Sequence, residues 1–146
     1  MENPNDNQFK FFIVDDDAVY LKALEIQFLE TNKYEVITFE TGELCVANLH
    51  LQPDIVILDY HLDGIDKNAI NGLKTLDEIK KFNSEIPVIM LSCQDKIEVA
   101  VKCMQHEAFD YVVKSETDFL QLKKTIALIK KKKKMKKQLS WYMDRM

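Results

Sequence analysis

The chain has 146 residues, 47% of them apolar and 30% charged, with only three glycines and three prolines. That is the composition of one globular domain and excludes a disordered or fibrous chain. No apolar run approaches the roughly 18–20 residues that cross a bilayer, and Met1–Lys10 is too polar for a signal peptide, so the cytoplasm is the expected compartment. The net charge of −4 conceals an asymmetry: residues 123–146 sum to +9 and residues 1–122 to −13.

In chain order, a flexible N-terminus is expected over 1–8, a globular unit over 9–130 and a basic helical extension over 131–146. Within the unit, Phe11–Val14, Val36–Phe39, Ile55–Leu58, Val88–Leu91 and Tyr111–Val113 are strand-sized runs of Val, Ile and aromatics. Three are almost wholly apolar, as strands covered on both faces tend to be. A helix-length stretch follows each run. Leu21, Leu24 and Phe28 mark the buried stripe of the first. Thr41 is placed to cap the second, Asn71 or Thr75 the third, and Asp95 the fourth, which should run to about Glu107. The fifth is expected from Ser115 or Glu116, with Leu122, Ile126 and Ile129 on one stripe. The cysteines Cys45, Cys93 and Cys103 form no C-x-x-C pair and read as small buried hydrophobes.

Five β-α units in strict alternation imply an α/β fold, an open parallel sheet with helices on both faces. Ligands of such sheets bind beyond the carboxyl ends of the strands. Those ends carry Asp15-Asp16-Asp17 after the first strand, Asp59 after the third, Ser92 after the fourth and Lys114 after the fifth. Carboxylates converging on one edge repel each other unless a hard cation joins them, and Mg²⁺ takes such oxygen ligands. A carboxylate can also act as a nucleophile toward phosphorus. Phosphoryl transfer then needs charge neutralisation and in-line placement, which a metal, an ammonium and a hydroxyl supply.

Ile13-Val14-Asp15-Asp16-Asp17, Ile55-Val56-Ile57-Leu58-Asp59, Pro87-Val88-Ile89-Met90-Leu91-Ser92 and Asp110-Tyr111-Val112-Val113-Lys114 resemble the four signature blocks of two-component response-regulator receiver domains, in family order over roughly residues 9–130. The resemblance implies a flavodoxin-like (βα)5 sandwich of three layers. It implies Asp59 as phosphoacceptor, Asp15 and Asp16 as acids for Mg²⁺, and the backbone carbonyl of His61 as a further metal ligand. It implies Ser92 and Lys114 as phosphoryl contacts and Tyr111 as an aromatic switch. The phosphoryl donor would be a sensor histidine kinase or a phosphotransfer protein. The chain would catalyse only its own phosphorylation and dephosphorylation.

Two features depart from the family pattern. The segment from Tyr60 to Gly72 is about five residues longer than usual, with Asn71-Gly72 standing for an Asp-Gly pair. It either alters access to Asp59 or is a tolerated surface insertion. Ser115 stands where a proline with a cis bond is usual. A cis bond before a non-proline costs roughly 2.5–4 kcal/mol, so a trans bond is expected, with a shift of Lys114.

The lysines of 130–134, 136 and 137 lie in a helix-prone stretch that should prolong the last helix. Met135, Leu139, Tyr142 and Met146 fall on one stripe of it. A signalling or dimerising helix, binding to an anionic surface and a solvated tail are the readings open there. A homodimer has two candidate faces, this helix and the fourth. No helix-turn-helix fits after residue 130, so direct nucleic-acid binding is not expected, and neither is membrane insertion. The output is expected to lie outside this chain. An aspartyl-phosphate phosphohydrolase of the haloacid dehalogenase type is the enzyme rival, but its second acid would stand where His61 is. A degenerate interaction module is the third reading.

Overall fold

The computed structural model describes residues 8–30, 33–64 and 67–146. The flexible segment expected over 1–8 falls outside them, Gln8 apart. Five strands form one parallel sheet: β1 (Phe9–Val14), β2 (Tyr34–Phe39), β3 (Ile55–Asp59), β4 (Val88–Ser92) and β5 (Asp110–Val113). The helices are α1 (Ala18–Leu29), α2 (Gly42–Ala47), α3 (Gly72–Phe82), α4 (Ile97–Gln105) and α5 (Asp118–Met143), with a 3-10 turn over Leu49–Leu51.

The strand order is β2-β1-β3-β4-β5. The chain leaves β1 toward β2 and then crosses to β3 on the other side, so the switch in direction lies between β1 and β3. A crevice opens there at the carboxyl ends. Register aligns those ends: Val14 pairs with Leu58, Leu58 with Met90, and Ser92 with Val113.

Alternation along each strand feeds two cores. Phe11, Ile13, Ile55, Ile57, Ile89 and Leu91 pack on one face against Leu21, Leu24 and Phe28 of α1 and Leu122, Ile126 and Ile129 of α5. Phe12, Val14, Val56, Leu58, Val88 and Met90 pack on the other against Cys45 of α2, Leu76 and Ile79 of α3 and Cys103 of α4. Burial on both faces is why the central strands carry no polar alternation. Cys93 departs from the expectation for the cysteines: it follows β4 and is exposed.

Helix starts follow local chemistry. Asp17 caps α1 by accepting from Val19 N and Tyr20 N, Thr41 caps α2 through Leu44 N, and Asn71 caps α3 through Lys74 N. The fourth cap differs from expectation. Lys96, not Asp95, precedes α4, and no side chain caps it. That helix also stops at Gln105, because Glu107 is left-handed, with φ 72°. Ala108 N donates to Cys103 O and Glu107 N to Met104 O, a Schellman closure with glutamate where glycine is usual. The fifth helix starts two or three residues later than expected, at Asp118. Ser115–Thr117 form a turn instead, with Asp118 N donating to Ser115 O at 3.3 Å. From there α5 runs unbroken through the lysines to Met143.

Candidate functional site

Asp15 leaves β1 with its backbone N–H held by Phe39 O at 3.1 Å. Its carboxylate is 1% exposed. One oxygen accepts from Asp17 N at 2.9 Å and the other from Lys114 Nζ at 2.7 Å. Asp16, one residue on, is half-buried. Asp59 ends β3 at 3% exposure and accepts from His61 N at 3.4 Å. Oxygens of Asp15, Asp16 and Asp59 all lie within 4.8 Å of one another.

Asp59 feels opposing influences. Burial, and then the charge of Asp15, push its carboxyl up to about 7, while Lys114 and the His61 N–H draw it down. The Lys114 ammonium lies 3.6 Å from Asp59 Oδ1. Burial disfavours its charge, but Asp15 and Asp59 outweigh that and hold it above the ordinary lysine value. When all three carboxylates are ionised, they and one ammonium leave a net −2, which one divalent cation balances. The all-oxygen donor set suits Mg²⁺ or Ca²⁺ and not a soft metal.

The described parts of the loop, residues 60–64 and 67–71, are fastened to the domain. Leu62 is 1% exposed and Ala69 8%, and Ile70 N donates to Glu43 Oε1 at 3.1 Å. At its start, the His61 ring packs edge-on against Tyr60, with centroids 4.9 Å apart, so His61 meets the acids through its backbone. Gly64 leans over Asp16: a Cβ there would lie 3.2 Å from Asp16 Oδ2. At its end, Gly72 N donates to Tyr60 O at 3.0 Å. A Cβ at Gly72 would run into the Asp59 carbonyl and Tyr60 Cα, so glycine is what lets α3 begin directly against the end of β3.

Ser92 and Tyr111 share one turn. Ser92 is fully buried, and its Oγ accepts from Gln94 N at 3.0 Å. The half-buried Tyr111 donates its hydroxyl to Gln94 O at 2.5 Å. Both hydroxyls therefore hold the backbone of the same residue.

The lysine side holds what the sequence did not announce. The Lys114–Ser115 bond is trans. Lys114 Nζ lies 4.3 Å from the centroid of the Tyr20 ring. Tyr20 donates its hydroxyl to Asp118 Oδ2 at 2.7 Å, and the same oxygen accepts from Ser115 N at 3.3 Å. Burial and the Asp118 carboxylate hold the Tyr20 phenol protonated, far above its ordinary value. The only hint in the sequence was Ser115 itself, because replacing proline adds an N–H that needs an acceptor.

The structure thus brings Asp15, Asp16, Asp59 and Lys114 to one pocket, with Ser92 at the end of the adjoining strand. Among the described residues no helix is long and apolar enough to cross a membrane. A family model described as the response regulator receiver domain matches residues 11–127. The chain is 33% identical over 124 residues to a protein-glutamate methylesterase/protein-glutamine glutaminase of Clostridium acetobutylicum, covering 82% of this chain and 34% of that protein. It is 33% identical over 104 residues to the DNA-binding transcriptional regulator NtrC of Salmonella typhimurium, covering 70% of this chain and 21% of that one. It therefore spans about a third or less of the length of these relatives. A response regulator receiver domain protein from Clostridium thermocellum superposes with a TM-score of 0.74 at 25% identity, over 87% of this chain and 98% of that one.

Proposed function

We propose a phosphoryl-accepting role for this chain, which belongs to the response regulator receiver family over residues 11–127. The observation that carries the reading is the cluster of three carboxylates within 4.8 Å, two of them faced by the Lys114 ammonium at 2.7 and 3.6 Å. Asp59 is the acceptor, because it ends β3 beside the switch point, within 4.8 Å of the other two acids and 3.6 Å from the lysine ammonium.

The donor is a histidine kinase or a phosphotransfer protein. An Asp59 carboxylate oxygen attacks phosphorus in line. The phosphorus–nitrogen bond of the donor phosphohistidine breaks, and its electron pair leaves on the imidazole, which takes up a proton. Mg²⁺, held by Asp15, Asp16, Asp59 and the His61 carbonyl, would neutralise charge on the phosphoryl oxygens. Lys114 turns from Asp15 to the phosphoryl group. Hydrolysis reverses the modification: a water oxygen attacks phosphorus, the bond from phosphorus to the Asp59 oxygen breaks, its electron pair restores the carboxylate, and the water's protons leave with inorganic phosphate or to solvent. The chain acts on itself in both steps and is a signalling module rather than a conventional enzyme.

The switch runs through Gln94. When Ser92 Oγ turns to the phosphoryl group, Gln94 N loses its acceptor. Tyr111, held at the carbonyl of the same residue, then loses a fixed anchor. Exposed apolar side chains support pairing with a second copy at either face expected for it: Ile97, Val101 and Met104 on α4, or Met135, Leu139 and Tyr142 on α5.

Acetyl phosphate or beryllofluoride with Mg²⁺ tests the assignment. Wild type is labelled and Asp59→Asn is not; equal labelling of the two removes Asp59 from the role. Sustained turnover of small phosphate esters would favour the phosphohydrolase instead. The ring of His61, packed on Tyr60, argues against that rival, which needs an acid there.

A further inference from the structure

We propose that Tyr20 and Asp118 are positioning residues for Lys114, fixing its ammonium over the acid cluster from below. The consequence for phosphoryl transfer rests on the phosphoryl-accepting reading above; the geometry does not.

A lysine has four rotatable side-chain bonds and a strongly hydrated head. Left to itself, Lys114 at the edge of the sheet would sample solvent. Its side chain is only 13% exposed. The carboxylates attract it from one side, Asp15 at 2.7 Å and Asp59 at 3.6 Å. Attraction alone does not fix a position, because those acids also have other cations to serve. The Tyr20 ring supplies the opposite wall, with its centroid 4.3 Å from Nζ, where the negative face of the ring favours a cation.

That wall is itself braced. Tyr20 lies on α1, one turn after the cap at Asp17. Its hydroxyl reaches across to α5 and donates to Asp118 Oδ2 at 2.7 Å. Asp118 is 9% exposed, and its carboxylate also takes the Ser115 N–H, one residue past the lysine. One buried oxygen thus ties the ring under Lys114 to the backbone that carries Lys114. Three elements converge: α1 supplies the ring, β5 the lysine, and the first residue of α5 the acceptor. None of the three contacts is made by the acid cluster. The arrangement also accounts for the turn over Ser115–Thr117, which delays α5 until Asp118 can face both donors.

The test separates position from reaction. Exchange of the Lys114 ammonium protons with water, read by nitrogen-edited NMR on the full chain, reports position without any phosphodonor. In Tyr20→Leu exchange rises by about tenfold, on the scale of a partly desolvated cation–π contact. In Tyr20→Phe, which keeps the ring and loses the brace, it rises by about threefold, and Asp118→Asn behaves likewise. The order wild type, Phe, Leu is the signature, because a role in packing alone would leave the ammonium unmoved. With acetyl phosphate and Mg²⁺, labelling at saturating donor slows in the same order, while half-saturation by donor changes by less than about twofold. Unchanged ammonium exchange in folded Tyr20→Leu, or in Tyr20→Phe should the leucine variant not fold, overturns the proposal. So does wild-type labelling in the variants alongside altered exchange. If wild type itself is not labelled but exchange follows the predicted order, phospho-acceptance fails and the positioning of Lys114 stands.

Discussion

Asp15 and Asp59 stand at the ends of adjacent parallel strands, and the ladder joining Val14 to Leu58 sets their separation. Nothing beyond the backbone is needed to bring them together. Lys114 also ends a strand, and Lys114 N is held by Ser92 O at 2.8 Å. Yet its ammonium is a long flexible stem away from that bond, and side chains from α1 and α5 govern where it comes to rest. The acid side of the pocket is built by hydrogen-bonded sheet, the lysine side by side-chain contacts. Sheet geometry follows from fold class, whereas a side-chain brace has to be assembled anew from whichever residues are present.

The comparison breaks most severely at Gly72. Gly72→Ala forces a methyl group into the Asp59 carbonyl and Tyr60 Cα, so β3 and α3 must separate. A loss of about 2–4 kcal/mol in urea unfolding is expected, together with weaker Mg²⁺ binding by tyrosine fluorescence. The lysine side should feel it only through that shift.

Asp59→Asn acts in the opposite direction. Folding raises the Asp59 carboxyl from 3.8 to about 7, so the folded state holds a proton that the unfolded state has released. Stability from this group is full below about pH 4 and is lost as pH rises through about 7. An amide carries no charge at any pH. In metal-free buffer at pH 8 the variant should therefore be more stable than wild type by roughly 1–3 kcal/mol. Thermal unfolding should show the gain shrinking as pH falls toward 4.

Asp118→Ala removes the acceptor of two donors on the lysine side. Leaving the Tyr20 hydroxyl and the Ser115 N–H without it should cost about 1–2 kcal/mol, with the Asp15–Asp16–Asp59 cluster and its Mg²⁺ affinity little changed. A large drop in that affinity would show that the two sides are not independent. Remote from both, Glu107→Gly should raise stability by about 0.5–1 kcal/mol, because glycine adopts the left-handed conformation that closes α4 without strain. Equal effects on urea unfolding and none on metal binding would make it the control.

The contrast also explains what the sequence made legible. All five strands and the acid set were visible: strand-sized runs of Val, Ile and aromatics, three of them almost wholly apolar, and the polar residues that follow them are local patterns. Thr41 and Asn71 were readable as caps, since a cap lies within three residues of what it caps. Asp95 misled, because a capping side chain does not guarantee the backbone turn that would use it. Tyr20 and Asp118 were invisible as a pair: they are 98 residues apart, and their meeting depends on how α1 and α5 pack. The long loop was readable as an insertion, but not as one pinned by Leu62, Ala69 and Glu43.

The lysines of α5 carry a mechanical consequence. Lys130 donates to the Tyr34 hydroxyl at 2.9 Å, Lys133 to Asp54 O at 3.0 Å and Lys136 to Glu85 Oε2 at 2.5 Å. These bonds moor one flank of the helix to the globular unit. Beyond Lys136 it projects as a rod, advancing 1.5 Å per residue. A rotation of a few degrees at the mooring therefore swings the aromatic tip, Trp141 and Tyr142, through an arc rather than flexing it. Because the mooring at Glu85 is an exposed ion pair, ionic strength sets its stiffness. The rod has a salt-tunable compliance that the buried half of the same helix does not share.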